Sequence, residues 1–401
     1  MNLARISLSY LRARNMSTVL NVVLLAFAVA AITMLVLTSE QLEERMYFDA
    51  RGIDLVAGAK GSPLQTILSS VYQLDQPVAG IPWSAAQAIA ARPGVKKAIP
   101  IAAVDNYHGL PLVGATADYL AHYRARLRAG QWWQAPLDAL VGSEAAARAG
   151  LRVGSTFRAV HGAGESPGAV HDGVYRVVGV LWPNGTVLDR IIVTDIANVW
   201  SQHADTGESE DGLVREPPID AGREISALLI QTTSAEAAAA LARELNSGEQ
   251  FQAISPGAET ARLFEVLVVG MQLLRGFAIV LVIAAGLSVF IALYSALNER
   301  RYDLAIMRAL GASPRRLMVL LLFEGTLLAA IGTVFGVLLG HLLTSILGFA
   351  FRFEQVGVTG WLWSRNELWV IGGALAVGML AALLPAWRAH EIDIAQVLAR
   401  G

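Results

Sequence analysis

The chain has 401 residues, no cysteine, and 31 basic against 33 acidic side chains. Its hydrophobic fraction is 54% and its charged fraction only 16%, against about 25% charged in an ordinary soluble chain; mean hydropathy is +0.49. These figures exclude a disordered chain, a nucleic-acid surface on charge grounds, and a disulfide scaffold or Cys-ligated metal centre.

Residues 1–17 carry Arg5, Arg12 and Arg14 and no acid. An uncharged apolar block, Thr18–Thr38, follows. At 1.5 Å per residue it spans about 30 Å, the thickness of a bilayer core. It is too long for a signal-peptide core, and Ser39-Glu40-Gln41 is no small-x-small cleavage site, so a retained transmembrane anchor is expected.

Residues 39–265 are ordinary globular sequence with 18 basic and 26 acidic side chains. Ser84–Arg92 predicts a helix with Ser84 as N-cap and Gln87 closing a capping box, stopped by Pro93-Gly94 before a strand at Val95–Ile101. Ile225–Thr232, Ser234–Leu245 and Phe251–Ile254 predict strand, helix and strand. Between these units lies β-rich sequence, with Val174–Leu181 leading through the turn Pro183-Asn184-Gly185 to a strand at Arg190–Thr194. His203–Pro218 reads as a polar, acidic loop. An α+β domain is expected.

Candidate chemistry in this domain is weak. Gly164-Glu-Ser166-Pro167-Gly168 matches G-x-S-x-G, but Pro167 lacks the backbone N–H that the oxyanion hole requires. His161, His171, Asp172 and His203 follow no standard ligand spacing and are expected to be solvated loop residues, so no metal site is expected. The lysines are Lys60, Lys96 and Lys97, and none follows a glycine, so the sequence holds no Walker A loop.

Three further apolar blocks follow: Val266–Leu297, Leu317–Leu347 and Leu368–Ala386. With the first they predict four transmembrane helices. Arg275 and Glu324 are intramembrane charges and therefore candidate transport groups. Against that role, Arg275 can sit in a stalk and Glu324 lies two turns from its helix start. Gly332, Gly336 and Gly340 form a small-residue stripe that fits packing within one protomer or between two. The 298–316 loop carries Arg300, Arg301, Arg308, Arg315 and Arg316, whereas 348–367 carries only Arg352 and Arg365. The positive-inside rule then places both termini and 298–316 in the cytoplasm and 39–265 outside.

Residues 298–316 place Tyr302, Ile306 and Ala309/Leu310 on one face of a short amphipathic helix. Gly311 is expected to stop it, with Ser313 as N-cap and Pro314 as N1 of the next helix. Such a helix either rests on lipid or docks a cytoplasmic partner.

The run Glu299-Arg-Arg-x-Asp-Leu-x-Ile-Met-Arg-Ala-Leu-Gly-Ala-Ser313 resembles the signature of MacB/FtsX/LolC-type permeases, the type VII ABC systems. Glu324-x7-Gly332-x3-Gly336-x3-Gly340, Leu384-Pro-Ala-Trp-Arg-Ala389 and Asp393–Leu398 resemble the same family, as do Gly130–Trp133, Val141–Ser143 and Val178–Val180 in the large domain. The resemblance implies four transmembrane helices with a MacB-like periplasmic α+β domain between the first two, in the bacterial inner membrane. It implies a non-catalytic permease, a homodimer with two ABC ATPase subunits, and ATP and Mg bound by the ATPase with no cofactor of its own. The coupling helix would comprise Glu299, Arg300, Arg301, Asp303, Ile306, Met307, Arg308 and Leu310, closed by Gly311 and Ser313. Membrane lipid is an expected partner, as is a periplasmic adaptor or lipoprotein; nucleic acid is not. Unlike MacB, the sequence carries no ATPase, and Gly52–Gly80 matches no member known by its cargo. Mechanotransmission that moves or extracts a periplasmic or membrane-embedded substrate is the expected function. The alternatives are an FtsX-like relay to a cell-wall hydrolase, or a membrane-tethered enzyme.

Overall fold

The computed structural model describes residues 15–77, 79–162, 170–203, 223–299, 301–310, 313–350 and 358–390. They divide into two compact units, one drawn from the chain up to Leu42 and after Leu267, the other from Glu43–Val266.

The chain opens with α1 (Asn15–Ala50), followed by β1 (Leu55–Ala59), α2 (Pro63–Ser70), β2 (Ile81–Pro82), α3 (Trp83–Ala90), β3 (Val95–Tyr107) and β4 (Leu110–Ala115). Next come α4 (Ala117–His122), β5 (Leu127–Gly130), β6 (Asp138–Val141), α5 (Ser143–Ala149), β7 (Thr156–His161), β8 (Val170–Leu181) and a 3-10 turn at Val187–Arg190. The outer unit ends with β9 (Ile192–Asp195), α6 (Ile196–His203), β10 (Glu224–Ile225), β11 (Ala227–Thr232), α7 (Ala235–Ser247) and β12 (Phe251–Ile254). Then come α8 (Pro256–Glu299), α9 (Arg301–Ala309), α10 (Pro314–Ala350) and α11 (Glu367–His390).

Ten strands form one mixed sheet in the order β12-β1-β11-β3-β4-β9-β6-β8-β5, with β7 pairing both β3 and β8. β4 with β9 and β6 with β8 are parallel. One core gathers around Leu55, Ile81, Ile89, Leu228, Ile230 and Leu241; a second gathers around Leu112, Val141, Phe157, Tyr175, Val177 and Ile192. Residues 52–80, unplaced by motif, supply the strand β1 between β11 and β12. They also supply α2, capped by Ser62, whose Oγ accepts from the Gln65 N–H.

Two local expectations are corrected, and one turn joins strands that do not pair. The helix expected at Ser84 begins one residue earlier at Trp83, with Pro82 at its cap position and no side-chain cap bond from that residue. Proline suits a helix start because its missing N–H would be unsatisfied anyway. Arg190 lies in the 3-10 turn, not in β9. The Pro183–Gly185 turn does not close a hairpin, since β6 lies between β8 and β9. Instead it folds onto Asp189, whose carboxylate accepts from the Asn184 N–H at 3.1 Å and the Gly185 N–H at 2.7 Å.

In the other unit, four helices are long and apolar enough to cross a membrane: Met16–Ala50, α8, α10 and Glu367–Arg388. α8 has 44 residues, about 66 Å of helix, twice a bilayer core. α1 and α10 overrun their apolar blocks as well. Leu25, Val29, Ala285, Ala329, Val337 and Ala374 form the buried centre of this unit. A hydrogen bond from Ser288 Oγ to Asn21 Oδ1, 2.6 Å, joins α8 to α1. Beyond α10, Gln41 pairs with both the N–H and the carbonyl of Thr359, at 2.9 and 2.8 Å.

Candidate functional site

The segment between the second and third long helices is the first candidate. Tyr302, Ile306 and Leu310 are exposed, Leu310 at 83%. They stand at i, i+4 and i+8, one stripe along α9 and its end. Met307, expected on the docking surface with Leu310, instead packs on Leu297, Leu317, Leu321 and Ala386, the adjoining parts of α8, α10 and α11. The helix thus has an outer face and an anchored face. Ser313 precedes α10, which starts at Pro314, and its carbonyl accepts from the Arg316 N–H at 3.0 Å. Glu299 ends α8, and Arg308 lies in the last turn of α9. Arg300 and Gly311 lie outside the described residues, as do the side chains of Arg301 and Asp303.

The glycine stripe has a definite partner. A Cβ built on Gly332 would come within 2.9 Å of Leu25 Cδ2, one on Gly336 within 2.6 Å of Val29 Cβ, and one on Gly340 within 2.7 Å of Thr33 Cβ. The stripe therefore seats α1 of the same chain, and only a missing side chain allows the approach. A second row on α10 does the same for α11, where Gly325 meets Ala382 and Gly378 meets Ala329. Glu324 is buried, at 3% exposure. Arg275 is exposed, 19 positions after the first residue of α8.

In the outer unit, Arg190 Nη2 donates to Asp49 Oδ2 at 2.6 Å, with both side chains buried. Burial raises the Asp49 carboxyl above its ordinary range despite the Arg190 charge beside it. Tyr123 Oη donates to the Asp49 carbonyl at 2.8 Å. A nearby cleft of about 580 Å³ is lined by Arg51, Arg124, Arg126 and Trp182 among others, a basic patch on a domain whose net charge is acidic.

The histidines are not solvated loop residues. His161 ends β7, His171 is the second residue of β8 and His203 ends α6. All three point at Asp105 on β3, a residue that no motif or spacing singles out. Asp105 Oδ1 lies 2.9 Å from His171 Nε2, 3.3 Å from His203 Nε2 and 3.5 Å from His161 Nδ1. Burial works to raise this carboxyl, but hydrogen bonds and charge from His203 and His171 outweigh it and hold it below the usual range. The bond to Asp105 lifts His203 above the ordinary imidazole value. Asp172 lies next to His171 but outside the cluster. Ser166 and the rest of the G-x-S-x-G match lie outside the described residues.

Four membrane-length helices with an α+β domain between the first two define a multi-pass membrane permease, and the comparisons agree. Residues 18–247 match the MacB-like periplasmic core domain and residues 275–394 the FtsX-like permease C-terminal family. The chain belongs to the MacB/FtsX/LolC-type ABC permease family. The transmembrane protein LolC of the lipoprotein-releasing system of Xylella fastidiosa is 30% identical over 116 residues, covering 25% of this chain and 28% of LolC. The macrolide export ATP-binding/permease protein MacB of Nitrobacter winogradskyi is 30% identical over 129 residues, 32% of this chain and 19% of MacB. The chain thus spans less than a third of these relatives' lengths. Among solved structures, the periplasmic region of MacB from Actinobacillus actinomycetemcomitans aligns with 53% of this chain and 94% of its own at 12% identity, TM-score 0.33. The extracellular domain of the noncanonic ABC-type transporter YknZ from Gram-positive bacteria aligns with 51% and 99% at 15% identity, TM-score 0.31.

Proposed function

We propose that this chain is the permease subunit of an inner-membrane ABC system that performs mechanical work on a periplasmic or membrane-embedded substrate of the lipoprotein, peptide, lipid or drug class. ATP and Mg are bound by an ABC ATPase outside these 401 residues, since the sequence holds no Walker A loop. Both termini and α9 face the cytoplasm, and two copies of the chain work as a dimer. The permease itself carries out no catalysis.

One observation carries this reading. α9 presents Tyr302, Ile306 and Leu310 outward, while Met307 packs against an apolar cluster to which α8, α10 and α11 all contribute. A close-packed contact passes displacement on rather than absorbing it. A push on the exposed face would move α8, α10 and α11 together. The printed functions of the relatives, lipoprotein release and macrolide export, support the substrate classes.

The test is Leu310→Asp in the intact complex. A charge on the outer face should abolish co-purification of the ATPase while the permease stays folded. Undiminished association, with unchanged ATPase stimulation, would remove α9 as the coupling element.

A further inference from the structure

The geometry points to a divalent transition-metal site in the outer unit, with zinc as the best-fitting ion, held by Asp105, His161, His171 and His203. Their four ligand atoms all lie within 4.8 Å of one another. Four of the six separations are 2.9, 3.1, 3.3 and 3.5 Å. Zinc takes imidazole nitrogen and carboxylate oxygen at about 2.1 Å in a tetrahedron, whose edges are then about 3.4 Å. Those four separations bracket the edge expected of ligands around an ion.

The backbone builds this convergence. β7 pairs with both β3 and β8. Asp105 stands directly across from His161, and Val160 pairs with Val170 next to His171. The β3–β4 register shifts between Ala102 and Asp105, a bulge of the kind that re-aims a side chain. The end of α6 is fixed to β8 by the Gly173 N–H, which donates to Gln202 Oε1 at 2.9 Å. Asn106 Nδ2 donates to the Gly162 carbonyl and holds the end of β7.

Proton bookkeeping argues for a cation. His203 Nδ1 lies 2.9 Å from the Val199 carbonyl, an acceptor, so Nδ1–H donates there. A neutral His203 then presents the lone pair of Nε2 to the site while its other ring nitrogen donates to a backbone carbonyl, as metal-binding histidines commonly do. That lone pair faces His161 Nδ1 at 3.1 Å and Asp105 Oδ1 at 3.3 Å. Contacts this short need either a proton on Nε2, as in the bond to Asp105 described above, or a metal ion between the ligands. Asp105 points the same way: its side chain is fully buried, and among the described residues its Oδ2 has no hydrogen-bond partner. A buried carboxylate oxygen left without a partner is costly. Three imidazoles and one carboxylate suit zinc and its borderline neighbours rather than magnesium or calcium, which prefer all-oxygen sites. His161, with its side chain 54% exposed, leaves one side of the site open to solvent.

The experiment uses the full chain in detergent micelles, purified without a polyhistidine tag and stripped with a chelator. Zinc is titrated against a chromogenic chelator, and cobalt(II) is added in parallel. One equivalent of zinc per chain and an intense visible cobalt spectrum of tetrahedral type are expected. His171→Gln and His203→Gln should each weaken zinc binding by at least the roughly 10–100-fold typical of disturbing a metal's outer shell, while His108→Gln should not. The wild-type cobalt spectrum decides the matter even where a variant fails to fold. Sub-stoichiometric zinc, a pale six-coordinate cobalt spectrum, or unchanged affinity in both variants would overturn the assignment and leave a proton-sharing cluster in its place.

Discussion

Gly336 lies so close to Val29 that a Cβ on the glycine would come within 2.6 Å of the valine Cβ. The two residues belong to α10 and α1 of one chain, so the contact assigns the small-residue stripe to packing within the protomer. Gly336→Ala should therefore loosen packing within one chain while leaving the oligomeric state, read by light scattering in detergent, as in the wild type. Conversion of an oligomer to a smaller species by this change would contradict the assignment.

Enlarging the same glycine tests its energetics. Overpacking a filled contact costs about 1–3 kcal/mol. Gly336→Leu should lower the thermal stability of the protein in detergent, while Gly372→Leu, where a Cβ meets nothing within 4 Å, should change it little.

The two sides of α9 should separate in a different way. Met307 packs into the apolar cluster with Leu297, Leu317 and Leu321, whereas Leu310 is exposed. Truncating a buried methionine costs about 2–5 kcal/mol, less where it is only partly buried. Met307→Ala should therefore lower the melting temperature, and Leu310→Ala should not.

In the outer unit, Asp49→Ala would leave the Arg190 guanidinium buried without its carboxylate. Breaking a buried pair from one side typically costs about 3–5 kcal/mol. Limited proteolysis should show faster cleavage of the outer unit in Asp49→Ala. Replacing both residues, Asp49→Leu with Arg190→Met, should recover much of the loss. Equal sensitivity of single and double variants would show that the pair is not the source of the effect.

At the other end of α10, His341 Nδ1 donates to the Gly360 carbonyl at 2.6 Å, and Nε2 lies 2.7 Å from Glu367 Oε2. With Nδ1–H committed, the second contact needs a further proton shared between imidazole and carboxyl. Glu367 Oε1 also accepts from the Ser364 N–H at 2.7 Å. A glutamine amide can donate to Nε2 and still accept from Ser364. Glu367→Gln should therefore be mild, and Glu367→Ala should cost about 1–3 kcal/mol through the buried groups it leaves unpaired. Thermal melts of the two variants check the order.

Much of the architecture was legible because it is local. Apolar runs such as Thr18–Thr38 set the membrane helices by length and hydropathy alone. Ser234 capped α7 as its side chain dictates, and Phe251–Ile254 formed the strand expected. The Glu299–Ser313 run carried the family. Local rules reached their limit where a partner distant in sequence intervened. Pro82 takes the cap position expected of Ser84, and β6 lies between two strands that a turn connects in sequence.

The sequence by itself determined four membrane-length helices and an α+β domain between the first two, because helix length, hydropathy and capping act over one or a few turns. The tertiary structure alone decided which helix the glycine stripe seats, which face of α9 is free, and that Asp105 meets three histidines lying 56, 66 and 98 positions further along the chain. Those outcomes depend on strand register and helix packing, and a single residue of register shift would turn Asp105 to the other face of its sheet.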